Sequence, residues 1–114
     1  MTGVVGYTSI PGLGALKTYE EVLVPDEKIY HVAYATWINN GDKFEIWAVD
    51  QVPENEPQGN NPPNYPPVGQ RLVGPLGVGA QGVVGGWRLS GMKIRFLNLG
   101  SGPMLAAWTL IAAP

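Results

Sequence analysis

Apolar and polar positions are patterned most clearly between Lys28 and Val49, KIYHVAYATWINNGDKFEIWAV. Two runs rich in β-branched and aromatic residues flank Asn39-Asn40-Gly41-Asp42. Asn and Gly accept the positive φ that tight turns demand, so the stretch predicts two strands joined as a β-hairpin. In the first strand Ile29, His31, Ala33, Ala35 and Trp37 share one face. Tyr30, Val32, Tyr34, Thr36 and Ile38 share the other. Both faces are largely apolar, which fits a strand central in a sandwich or covered by another subunit. The second strand alternates more cleanly, with Phe44, Ile46 and Ala48 opposite Lys43, Glu45, Trp47 and Val49. Phe44 and Ile46 are the expected core residues.

The other segments are shorter. Met1 to Ala15 holds four glycines and one proline and keeps no period. It reads as an N-terminal arm or loop, set apart from one β-sandwich domain over 16–114. Leu16 to Val24 predicts a strand with Tyr19, Val22 and Val24 packing, and Pro25-Asp26-Glu27 a turn. Asp50 to Gly69, DQVPENEPQGNNPPNYPPVG, contains six prolines. Proline removes ladder donors and breaks helices, so this is a long loop stiffened toward extended geometry. Loops of that length are often functional, and Tyr65 is its natural anchor. Short strands fit at Gln70 to Val73, Ala80 to Val84 and Trp87 to Leu89. Longer ones fit at Met92 to Asn98 and Met104 to Ala113, the last apolar on both faces. No helix is predicted. Seven or eight short strands with Gly/Pro turns point to an all-β, antiparallel, jelly-roll-like β-sandwich with one long Pro-rich loop.

Composition adds a second theme. Only 14% of the 114 residues are charged, against about 25% in ordinary globular chains. A surface so poor in charge points to partial cover by a partner or by further copies. The net charge of −2 leaves no broad basic patch, so nucleic-acid binding is disfavoured. With no cysteine, disulfides and thiolate metal sites are excluded. No apolar run approaches the ~20 residues that span a bilayer. The start lacks the basic region of a signal peptide, so the chain is expected to be made in the cytoplasm, without a recognisable export signal, and no membrane role is expected.

Catalytic chemistry finds little support. His31 is the single histidine and sits mid-strand. A Ser-His arrangement would need Ser9, Ser90 or Ser101, none of which lies in a nucleophile-elbow pattern. One histidine argues against zinc. Asp50, Glu54 and Glu56 cluster in sequence but read as a solvated acidic edge at the mouth of the loop. No glycine-rich segment has the phosphate-loop pattern. No catalytic residue, cofactor or metal is therefore expected, and the chain is read as a non-enzyme. The four tryptophans and five tyrosines are the remaining specific feature, because aromatic residues anchor interfaces and stack on sugars. Trp37 and Trp108 read as core or subunit interface. Trp47, beside Lys43 and Glu45, reads as the best exposed or partner-covered aromatic. The expected partner contacts are Tyr7, Trp47, Pro62, Pro63, Tyr65 and Pro66.

Val24-Pro25-Asp26-Glu27-Lys28-Ile29-Tyr30 and Leu89-Ser90-Gly91-Met92-Lys93-Ile94-Arg95, followed by a final apolar strand, resemble a pattern in small β-sandwich virion proteins of tailed bacteriophages. Those proteins carry a VPxGKxY-type turn and a late LxxGDxIR strand. Here Asp26-Glu27 stands in place of a small residue and Gly, and Met92 in place of Asp. The similarity covers roughly Glu20 to Asn39 and Arg88 to Ala113. It implies a decoration (cement) protein that stabilises the head, or a tail- or fibre-associated jelly roll, commonly trimeric and located in the virion. The implied partners are the major capsid protein or another virion protein. A carbohydrate-binding, lectin-like module is the alternative from a different class.

Overall fold

A computed structural model describes residues 3–15, 17–23, 29–50, 69–88 and 92–112, with 3, 4, 23, 50, 85–88 and 92 described by backbone alone. Eight strands occur among these residues: β1 Gly3–Ile10, β2 Tyr19–Leu23, β3 Ile29–Trp37, β4 Phe44–Asp50, β5 Gly69–Leu76, β6 Gln81–Arg88, β7 Met92–Asn98 and β8 Met104–Ala112. No helix occurs among them. They form two four-stranded antiparallel sheets, ordered β1-β8-β3-β6 and β2-β7-β4-β5. The shortest principal extent is 19 Å, which fits two layers about 10 Å apart carrying side chains on their outer faces.

The pairing is nested. β1 pairs with β8, β2 with β7, β3 with β6 and β4 with β5, all antiparallel. The chain is thus one long ribbon folded back on itself. β3 also pairs with β8 and β4 with β7, which joins the strand pairs into the two four-stranded sheets. Every connection except β4–β5 crosses from one sheet to the other.

That crossing overturns the hairpin expected around Asn39–Asp42. The turn itself forms: the Asp42 N–H donates to the Asn39 carbonyl at 3.0 Å, and Gly41 takes φ +90°, the positive value a type II turn requires at its third residue. The strands it joins, however, lie in different sheets. β3 takes its partners from β6 and β8, far along the chain. A second correction concerns the amino-terminal segment. Gly3–Ile10 is not a loop but strand β1, in unbroken register with β8 over eight residues. A third concerns the two short strands expected at 80–84 and 87–89. They are one strand, β6, whose register against β3 shifts at Gly85-Gly86, as a β-bulge does.

The core lies between the sheets. Val32, Phe44, Ile46, Ile94, Phe96 and Leu110 are fully buried, each contributing about 1.5–3 kcal/mol. The alternation foreseen in β4 holds: Phe44, Ile46 and Ala48 join this core. Trp108 is core as well, its ring stacked on Phe96 at a centroid distance of 5.1 Å. Tyr19 and Val22 are buried as expected, whereas Val24 lies outside the described residues.

Candidate docking surface

The outer faces of the two sheets differ sharply. On β2-β7-β4-β5 the outward positions carry charge, and that charge is paired. Glu21 on β2 accepts from Lys93 Nζ at 3.0 Å and from Arg95 Nε and Nη2 at 2.9 and 2.6 Å. The Arg95 guanidinium also lies 4.0 Å above the Tyr19 ring, a cation–π geometry. Glu45 on β4 accepts from Trp47 Nε1 at 2.8 Å and from Arg71 Nη1 at 3.1 Å. Except for Glu45–Trp47, which lies within β4, these contacts run across neighbouring strands, where outward residues directly opposite or diagonal in register meet.

The outer face of β1-β8-β3-β6 carries no charge among the residues whose side chains are described; Arg88, described by backbone alone, stands opposite Ile29 in register. Register sets it out in rows. One row is Val5, Thr109, Ala33 and Val83. The next is Tyr7, Ala107, Ala35 and Gln81. The third is Ser9, Leu105 and Trp37. Ile111 and His31 form a fourth. Large side chains stand at the margins, with Val5 75%, Tyr7 66%, Val83 67% and Trp37 54% exposed. Small ones occupy the middle. The result is a shallow depression of about 430 Å³ floored by Ala33, Ala35, Ala107 and Thr109 and walled by Val5 and Tyr7. A second apolar hollow lies between Trp37, Val78 and Ala80. Contiguous exposed apolar area of this kind marks an interaction surface.

The structure distributes the expected contact residues unevenly. Tyr7 is on this face and exposed. Trp47 is not: it lies on the opposite sheet, 9% exposed, held by its bond to Glu45. The exposed aromatic is Trp37 instead. Polar neighbours at Lys43 and Glu45 mark Trp47 as solvent-facing, yet Glu45 is itself buried, accepting from Trp47 on the same strand and from Arg71 on β5. Tyr65, Pro62, Pro63 and Pro66 lie outside the described residues, as do Glu54 and Glu56. Val5 and Val83 went unrecognised because they sit in glycine-rich segments. The two-sided apolar pattern of β3 was the signal that pointed to this face.

His31 belongs to the fourth row and Ser9 to the third, six residues apart along the strands, or about 20 Å. They cannot form a nucleophile–base pair. Ser101 lies in the turn beyond Asn98, bonded to Asp42. No group of three or more His, Asp or Glu side chains able to hold a metal occurs among the described residues. No protein-family model matches the chain, and comparison with curated proteins and with solved structures yields no match.

Proposed function

We propose that this chain is a non-enzymatic structural protein of a virion, with a jelly-roll-like sandwich as its scaffold. In this reading it is a capsid decoration protein of a tailed bacteriophage, homo-oligomeric and of trimeric order, bound to the major capsid protein or another virion protein. The jelly-roll reading is supported by the nested ribbon of eight strands that alternates between two sheets, the pattern from which double-sheet jelly rolls of capsid and lectin domains are built. The assembly reading rests on one observation above the rest: a sheet face with no charge among the described side chains, opposite a face whose charges are paired. A chain that worked alone in water would gain nothing from that asymmetry. Many copies each binding modestly attach strongly through multivalency, which is how a small protein reinforces a shell. Mass spectrometry of purified particles tests it. The chain is expected at a fixed copy number relative to the major capsid protein, and its absence would remove the proposal.

A lectin-like role is favoured by a different feature. The half-exposed Trp37 indole stands beside Ser9, Asn39 and Pro103, a flat apolar surface with polar groups at its rim, such as stacks on a sugar ring. Saturable glycan-array binding that is lost in Trp37→Ala would establish that role, including for a tail- or fibre-associated adhesin.

A further inference from the structure

We infer that the outer face of β1-β8-β3-β6 is the contact between copies of this chain, with the Val5/Tyr7 ridge of one copy seated in the Ala33/Ala35/Ala107/Thr109 hollow of the next. The inference rests on the structural-protein reading above and names which surface performs the self-assembly.

The sheet edges carry the first part of the case. Exposed edge strands template unwanted pairing, and proteins blunt them with charge, proline, bulges or short length. Three of the four edges here are blunted. β5 contains Pro75 and two register shifts. β6 is bulged against β3. β2 has five residues, two of them glutamate. The fourth edge, β1, is GVVGYTSI: eight residues, no charge, no proline and no register break. β1, the strand that carries the Val5/Tyr7 ridge, is thus the least protected of the four edges and leaves a second copy free to approach the face from that side.

Shape and size supply the rest. Tyr7 and Val5 stand at the margin of the sheet, and the side chains next to them inward are Ala107 and Thr109. A ridge and a hollow of matching length therefore lie side by side on one molecule. Each copy offers both halves of the joint, as contacts between identical subunits require. Four strands at ~4.8 Å spacing and eight residues at ~3.3 Å rise give a face of roughly 500 Å² in projection. Two such faces reach the order of 1,000 Å² that a specific interface needs, and the lack of charge among the described side chains matches the apolar character of permanent subunit contacts rather than of transient ones.

Sedimentation equilibrium on the purified full chain decides the matter. The wild type is expected to sediment as an oligomer at about 100 µM, since assembly is concentration-dependent. Ala35→Glu and Ala107→Glu place a charge in the hollow, and Tyr7→Glu places one on the ridge. Each is expected to weaken self-association at least about 100-fold, because an unpaired charge would have to be buried in the joint. Tyr7 is exposed in the single chain, so Tyr7→Glu leaves the core intact, and retained far-UV circular dichroism confirms folding. A wild type monomeric at that concentration overturns the inference, including one that binds only to a different protein. So does any folded variant that keeps the wild-type mass. No capsid enters the experiment, so its failure is distinct from absence of the chain from particles.

Discussion

Asp42 reaches across the end of the sandwich and accepts the backbone N–H of Gly102 at 3.1 Å through one carboxylate oxygen. Its other oxygen accepts the Ser101 N–H at 3.3 Å. The two turns joined in this way both cross between sheets: 39–42 carries β3 to β4, and 99–103 carries β7 to β8. Nearby, Asn98 Nδ2 donates to the Ile10 and Gly102 carbonyls, and its Oδ1 accepts from the Gly100 N–H. Side chains thus supply partners for backbone groups that leave the ladders at this end. Hydrogen bonds to a charged group contribute about 1.5–3 kcal/mol when buried, and this pair is partly exposed. Asp42→Ala is therefore expected to lower stability by about 2 kcal/mol, near 8 °C in Tm for a domain of this size. Asp42→Asn keeps one acceptor and should fall between. Urea unfolding of the three proteins gives the ordering.

Gly6 presents the second test. A Cβ built on it would stand 2.2 Å from the Trp108 ring, so the indole lies flat over the bare backbone of β1. Gly6→Ala must displace that ring and with it the stack on Phe96. Overpacking costs about 1–3 kcal/mol, and here no flexible chain end can yield. The expected result is a loss at the upper end of that range, with an altered near-UV dichroism signal from Trp108. An unchanged spectrum and unchanged stability would contradict the close approach.

The same pair shows where sequence reading reached and where it stopped. Alternation in β4 and β7 was legible because Phe44, Ile46, Ile94 and Phe96 pack between the sheets while charge at Glu45, Lys93 and Arg95 marks the other face, although that other face is largely buried too. The turn at Asn39–Asp42 was legible because Gly41 must supply a positive φ. What that turn joins was not legible, because the partners of β3 sit in β6 and β8 and no local propensity encodes them. β1 was missed for the same reason. Gly6 breaks the strand pattern of its own segment, and the reason for it is a tryptophan at the other end of the chain. For Trp47, charge at i−2 is no sign of solvent exposure, because Glu45 is buried and accepts from Trp47 and Arg71.

Arg95 and Glu21 give a third expectation. Arg95 is buried, doubly bonded to Glu21 and stacked on Tyr19. Removing Arg95 leaves Glu21 with Lys93 beside it but without its two guanidinium bonds in a partly desolvated site, whereas replacing both Arg95 and Glu21 with apolar groups of similar volume is often close to neutral. Arg95→Met alone should cost about 3 kcal/mol. Glu21→Met with Arg95→Met should recover most of that loss. A double-mutant cycle by chemical denaturation measures the coupling, and strictly additive losses would show the contact to be energetically idle.

The two tryptophans on opposite faces separate fold from assembly. Trp37 is half exposed on the uncharged face, and Trp47 is buried with its N–H given to Glu45. In dissociated chains acrylamide should quench Trp37 readily and Trp47 hardly at all, with the assignment made by Trp37→Phe and Trp47→Phe variants. Trp47→Phe removes the donor from a buried carboxylate, which costs about 1–3 kcal/mol. Trp37→Ala removes only exposed surface and should change stability by less than about 0.5 kcal/mol. The quenching of Trp37 should then fall as the chain is concentrated, because assembly on β1-β8-β3-β6 shields that edge of the face, while Trp47 stays constant. Protection of Trp47 alone on assembly would move the contact to the charged sheet.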